Sequence, residues 1–337
     1  MSERSPHILV LGAGSVGRRH LRNLDALGCA VSAMDPREDR LNEAASEVPL
    51  VGRHSSDSEA LAAGCDGVVV ASPPRFHVDQ CIRAIDAGVP VLLEKPVSPT
   101  LADAQRLADA MRTRPDARLL LGYTYRWWEP LRRFRDHLAA GKVGRPLHAR
   151  FVMSAHLADW HPWERYQDFF MASAELGGGA LLDESHFIDL MCWFFGVPEK
   201  VVARVEHTSE LKIDTDDNVD MIAVYPDGLR VTMHLDLYGR PHEKYIVVEG
   251  DSRSLKWSFD PNSVAYSDRI EGDWEEETWQ LERNDMFVEV AREFVGMVRE
   301  CGEPSCTLED GLDVLAVVEA ARVSSDTERF VPVTRER

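Results

Sequence analysis

The segment Gly12-Ala-Gly-Ser-Val-Gly17 sits between a short apolar run, His7–Leu11, and a helical pattern over 15–27 in which Val16, Leu21, Leu24 and Leu27 fall close to one face. A glycine turn joining a buried strand to a helix leaves few folds open. In such a turn Gly12 permits the tight bend, Gly14 lets a pyrophosphate approach the backbone, and Gly17 lets helix and strand pack closely. The helix start at Ser15 and Val16 then offers unspent N–H groups and the positive end of the helix dipole to phosphate. Asp35 lies 18 residues beyond Gly17, at the end of a second apolar run, Ala30–Met34. A carboxylate there bonds the ribose hydroxyls of NAD and repels a 2′-phosphate, so NAD is the expected cofactor. Arg37 and Arg40 keep NADP open as the alternative. The plainer alternative is a turn that binds nothing, with Asp35 capping the next helix.

Strand and helix patterns alternate as far as residue 122: strands at 67–71, 89–93 and 118–121, a weak one at Val51, and helices at 76–87, stopping at Gly88, and 101–111. That is the pattern of a doubly wound parallel α/β domain. Beyond it the period changes. Strands are expected at 144–154, 201–206, 219–225, 245–249 and 255–257, with helices at 180–195, 285–300 and 308–324. Leu229, Val231, Met233, Leu235 and Leu237 alternate with Arg230, Thr232, His234 and Asp236, as in a half-covered antiparallel strand. Tyr225-Pro-Asp-Gly228 makes the turn of a hairpin with the strand before it. The reading is a Rossmann domain over 1–122, then an α+β domain over 123–337 with a large, mainly antiparallel open sheet. The acidic run 271–277 reads as a solvated loop or strand edge.

A chain of 337 residues suits two domains and buries enough surface to need no staple. Its formal net charge of −19 argues against nucleic acid and anionic membranes as partners. The six cysteines form no CxxC pair, so neither a disulfide framework nor a metal site is expected. The first apolar run is too short for an export signal, and no stretch reaches membrane-spanning length, so the expected location is the cytoplasm.

Two further segments carry chemistry. Glu94-Lys-Pro96 follows the fifth strand, where open α/β sheets present ligands, and the Lys95 ammonium can donate a hydrogen bond to an oxygen at a reacting carbon. Gly177-Gly-Gly-Ala-Leu-Leu-Asp-Glu-Ser-His186 leads into a helix with Asp183, His186 and Asp189 three residues apart. At that spacing Asp183 and His186 share a helical face. An imidazole beside a carboxylate can take a proton from an alcohol near neutral pH. A surface lysine, a capping aspartate and a buried structural histidine are the plainer readings. The stretch 156–166 includes Trp163 and Tyr166, groups that stack on sugars and bond hydroxyls, or that form an ordinary aromatic cluster.

The glycine turn, Ala71-Ser-Pro-Pro-Arg-Phe-His77, Glu94-Lys-Pro96 and the GGGALLD…H…D segment occur together and in order. The set resembles the Gfo/Idh/MocA oxidoreductases, the family of glucose–fructose oxidoreductase and inositol 2-dehydrogenase. The resemblance covers essentially the whole chain. It implies a nicotinamide-dependent dehydrogenase acting on a hydroxyl or ketone of a sugar, inositol or nucleotide-sugar, assembled as a homodimer or homotetramer through its open sheet. It implies that Lys95 contacts substrate and nicotinamide, that His186 is the general acid/base, and that Asp183 assists it. The family spacing is D-x-x-x-H, whereas this chain has D-x-x-H, so Asp183 would point differently. The same resemblance places Ser72, Pro73, His77 and Glu94 at the cofactor and Tyr123 and Arg126 near the substrate. Two rival functions stand beside this one: a glycosidase that oxidises its sugar transiently and retains NAD, and a non-catalytic NAD-binding sensor.

Overall fold

The structure, a computed structural model, describes residues 4–160, 164–268, 273–300 and 302–335. Two compact units emerge, one of residues 1–124 with 283–312, the other of 125–282 with 313–337.

The first unit alternates strand and helix: β1 His7–Leu11, α1 Ser15–Ala26, β2 Ala30–Met34, α2 Glu38–Glu47, β3 Leu50–His54, α3 Asp57–Ala62, β4 Gly67–Val70, α4 His77–Asp86, β5 Val91–Glu94, α5 Leu101–Arg112 and β6 Leu119–Gly122. Among the described residues the strands form one six-stranded sheet in the order β3-β2-β1-β4-β5-β6. Every pairing in it is parallel. This is the expected Rossmann sheet. Strands covered on both faces have no polar face to show, which is why Leu9, Val10, Val69, Leu92 and Leu120 are wholly buried. The strand order reverses between β1 and β4, the crevice where open α/β sheets hold ligands. α4 ends as expected at Gly88, whose φ of 75° closes the helix with its N–H on the Ile85 carbonyl at 2.9 Å.

The second unit contributes α6 Glu129–Ala139, β7 Pro146–Ser154, α7 Ala180–Asp183, α8 Ser185–Phe195, β8 Lys200–Glu206, β9 Asn218–Val224, β10 Arg230–Asp236, β11 Glu243–Gly250, β12 Arg253–Ser258, β13 Ser263–Asp268 and β14 Trp274–Thr278. The chain closes with α9 Asp285–Glu300, α10 Leu308–Thr327 and β15 Val331–Pro332. The second sheet runs β14-β13-β12-β11-β7-β10-β9-β8-β15. Its pairings are antiparallel except for β7 with β10. β9 and β10 form the expected hairpin, and Val231, Met233 and Leu235 face inward with Phe151 and Met153 of β7. The opposite face exposes Arg150, Asp220 and Ile222. The acidic stretch ends in β14, an edge strand carrying Glu275, Glu276 and Glu277, and charge on an edge discourages further pairing.

Two expectations need correction. The helix expected over 180–195 is interrupted at Glu184, which separates α7 from α8. The helix over 285–300, assigned by chain order to the second domain, clusters with the first unit. There α9 packs on α1 and crowds β4: a side chain at Gly67 would meet Val298 at 2.9 Å and Phe294 at 3.0 Å. Asn23 of α1 and Asn284 just before α9 exchange amide hydrogen bonds of 3.3 and 2.9 Å. No helix among the described residues is long and apolar enough to cross a membrane.

Candidate active site

In the first unit the glycine turn occupies the reversal point of the sheet. Gly12 has a φ of +95°, and a Cβ there would sit 2.7 Å from both the Ala71 carbonyl and the Ser72 nitrogen. A Cβ at Gly17 would lie 1.8 Å from the Gly12 carbonyl. Gly12 and Gly17 therefore serve close packing of β1, α1 and the end of β4. Gly14 differs: the nearest atom to a Cβ there is the Arg40 Nη1 side-chain nitrogen at 3.8 Å, so no backbone crowds it. No side chain caps α1, and its first turn holds no acid. Those are the conditions under which a helix start accepts an anion.

Asp35 is 3% exposed, and its carboxylate accepts hydrogen bonds from Ala13 N–H and Arg37 N–H, both at 2.9 Å. It thus ties the end of β2 to the glycine turn. Arg40 approaches it at 3.8 Å, whereas the Arg37 guanidinium bonds Asp39. The uncapped helix, the open Gly14 backbone and Asp35 together fit a dinucleotide.

Two buried histidines hold the EKP turn. His20 of α1 bonds Glu94 through Nε2 at 2.6 Å, with both side chains within the core. The His77 ring lies between two carbonyls, with Nδ1 2.8 Å from Pro96 O and Nε2 2.8 Å from Ser72 O. Burial, the largest influence, lowers the His77 pKa, against the two carbonyls, which favour the charged ring. His77 therefore spans Ser72 and Pro96 as a clasp, and Ser72 Oγ donates to Gln80 at 2.6 Å. Pro73 precedes the 3₁₀ turn Pro74–Phe76, and Lys95 is half-buried between Glu94 and Pro96.

In the second unit two of the three glycines, Gly178 and Gly179, serve neighbours. Gly178 lies where a Cβ would meet Met171 O at 2.4 Å, and a Cβ at Gly179, whose φ is +106°, would meet Asp216 Oδ1 at 2.3 Å. The Asp216 carboxylate takes the Leu181 N–H at 2.8 Å, and burial pushes its pKa up. α7 then ends at Asp183, buried at 7% exposure, and α8 begins beyond Glu184. Asp183 and His186 thus stand on either side of a break, so the three-residue spacing does not by itself place them on one face.

The 3₁₀ turn Thr124–Trp127 meets α8 at two places. Arg126 grips Asp189 through Nη2–Oδ1 at 2.7 Å and Nε–Oδ2 at 3.0 Å, its side chain 7% and that of Asp189 0% exposed. Tyr125 packs its ring edge-on against His186, with centroids 5.0 Å apart. Lys244 of β11 donates to the Tyr125 hydroxyl at 3.0 Å. Tyr125 and Lys244 were not singled out from the sequence. Tyr123 is fully buried. The hydroxyl of Tyr166 accepts the Lys212 N–H at 3.2 Å. Trp163 lies outside the described residues.

A parallel Rossmann sheet with an anion-ready glycine turn and an acid at the end of β2 defines a dinucleotide-binding protein. The chain belongs to the Gfo/Idh/MocA oxidoreductase family: residues 7–123 match the oxidoreductase family, NAD-binding Rossmann fold, and residues 131–256 match the GFO/IDH/MocA C-terminal domain. It is 37% identical to inositol 2-dehydrogenase of Streptomyces avermitilis over 145 residues, which is 42% of this chain and 42% of that protein. The matched stretch is thus less than half the length of that relative. Over 334 residues, 95% of this chain and 97% of the other, it is 25% identical to 1,5-anhydro-D-fructose reductase of Ensifer adhaerens. An oxidoreductase from Agrobacterium radiobacter, solved with NAD+, L-tartaric acid and magnesium, shares the fold with a TM-score of 0.83 at 19% identity, covering 98% of this chain and 99% of that one.

Proposed function

We propose that this protein is an NAD-dependent dehydrogenase that oxidises a hydroxyl, or reduces the matching ketone, of a sugar, inositol or nucleotide-sugar. The observation that carries the reading is the open Gly14 backbone at the uncapped start of α1, beside the Asp35 carboxylate. Gly12, Gly14, Ser15, Val16, Gly17, Asp35 and Arg37 are assigned to the cofactor, with Ser72, Pro73, His77 and Glu94 shaping its surroundings. Bound there, NAD supplies the hydride acceptor.

The chain's own groups do the rest. His186 removes the hydroxyl proton, a general-base contribution of about 10² to 10⁴ in rate. The Lys95 ammonium is assigned, as the family resemblance implies, to stabilise negative charge developing on a substrate oxygen. His20 and His77 hold the turn that carries Lys95. Asp183 is assigned a supporting role, and Tyr166, Tyr123 and Trp163 the substrate side. Arg126 acts by holding Asp189, and through it α8.

We assign oligomerisation, as a homodimer or homotetramer, to the open face of the second sheet. There Ile222 is 41% exposed beside a depression of about 500 Å³ that Val152 and Val202 also line. The scattered cysteines favour the cytoplasm. Binding of NADH and NADPH, followed by cofactor fluorescence, is expected to favour NADH; absence of binding by either would refute the reading. Incubation with NAD and a panel of inositols, free sugars, sugar phosphates and UDP-sugars then names the substrate class through absorbance of the reduced cofactor. Tightly held NAD with no substrate-dependent signal would point instead to transient oxidation or sensing.

A further inference from the structure

The proton-transfer group assigned above does not stand alone in its unit. His186 is the second residue of α8, two residues beyond the break at Glu184. Its ring meets the ring of Tyr125 edge-on at 5.0 Å and 68°. Tyr125 is in turn boxed in by Phe187 at 6.1 Å and Trp257 at 6.2 Å, and is only 5% exposed. Its hydroxyl accepts a 3.0 Å hydrogen bond from Lys244 Nζ. That ammonium also lies 5.1 Å over the ring of Phe259, which stacks on Trp128. The Lys244 carbonyl accepts the Phe259 N–H at 3.0 Å, so the strand and the loop that cage the ammonium are tied together.

We propose that Lys244 and Tyr125 are positioning residues for His186, the ammonium fixing the phenol and the phenol ring fixing the plane of the imidazole. The inference rests on the reading of His186 as the proton-transfer group. The arrangement has an electrostatic consequence. Of the charged groups on the neighbouring elements, Asp183 ends α7 and Glu184 follows it in the break. Asp189 on α8 is matched by Arg126, and Arg135 of α6 lies over Trp193. Lys244 is the cation that the phenol brings towards the imidazole, 5.7 Å from the Tyr125 ring centre. A cation disfavours protonation, so Lys244 held on the phenol is expected to favour the neutral imidazole that a base requires.

The test is histidine-selective NMR titration of the full chain, with the His186 signal assigned by its loss in His186→Gln. Two variants are compared with the wild type: Lys244→Met, which removes charge and donor, and Lys244→Gln, which removes the charge alone. Both are expected to raise the His186 pKa by about half a unit, the effect of one unit charge at roughly 10 Å in a partly aqueous setting. Lys244→Met is also expected to move the His186 ring shifts as the phenol loosens, while the other histidines keep theirs. Lys244→Arg is expected to restore both properties. Unchanged His186 titration and ring shifts in both variants overturn the proposal; if Lys244→Met fails to fold, Lys244→Gln decides it alone through the pKa. Because the readout needs no turnover, a shifted His186 in a protein that oxidises nothing on the panel would sink the dehydrogenase reading and leave the positioning intact.

Discussion

Arg126 and Asp189 offer a sharp test, because the resemblance placed Arg126 near the substrate and the structure places its guanidinium on a buried carboxylate. The pair makes three hydrogen bonds, of 2.7, 3.0 and 3.1 Å, with side chains 7% and 0% exposed. Removing one partner takes the paired hydrogen bonds from the other charge in the core, a cost of about 3 to 5 kcal/mol. Arg126→Met and Asp189→Leu should each lower the melting temperature by about 10 °C, at roughly 2 to 4 °C per kcal/mol for a unit of this size. The double variant leaves no stranded charge, and should recover most of the loss, giving a coupling energy above about 2 kcal/mol. Calorimetry and urea unfolding followed by tryptophan fluorescence measure all four proteins. Single variants costing under about 1 kcal/mol, or losses that simply add, would refute the argument. If Arg126→Met melted like the wild type and raised only KM, Arg126 would be a substrate ligand after all.

Two further outcomes follow from the electrostatics. His234 on β10 faces Asp220 at 2.8 Å and Asp236 at 3.0 Å, so both ring nitrogens must donate, and its pKa is raised to about 9, chiefly by the bond to Asp236. A raised histidine pKa stabilises the fold below the ordinary value of 6.5, and that stability is lost as pH climbs through about 9. The side chain is 35% exposed, so solvent screening reduces the effect to about 1 kcal/mol between pH 6.5 and 9.5. Urea midpoints across that range should show this loss in the wild type and not in His234→Gln; equal pH dependence in both would count against it. Asp35→Ser, with Arg40 left beside the site, should move the NADPH-to-NADH affinity ratio towards NADPH by about tenfold or more, read by fluorescence titration. An unchanged ratio would remove Asp35 from cofactor selection.

The first unit was legible because its signals are local. A strand of period-free apolar residues, three glycines and an acid lie within 29 residues, from His7 to Asp35, and the strands and helix form where that pattern puts them. The GGG segment was legible as a place of close approach, but not what approaches, since Met171 and Asp216 come from elsewhere in the chain. The break at Glu184 was hidden because one non-helical residue does not disturb the apolar pattern on either side. The return of α9 to the first unit was hidden because chain order says nothing about which core a late amphipathic helix joins. Lys244 and Tyr125 stand 119 positions apart, one in a strand and one in a turn, and no spacing rule joins them. Arg126 was picked out for the substrate side, and only the fold reveals that its guanidinium lies on Asp189.

The central claim is that hydride transfer in this protein depends on His186 and Lys95. The direct measurement is the rate of NAD reduction with the best substrate of the panel in wild type, His186→Gln and Lys95→Met, with NAD affinity measured alongside. Each variant is expected to bind NAD within a few-fold of wild type and to lose about 100-fold or more in rate. A variant that reduces NAD at the wild-type rate with the same substrate would contradict it.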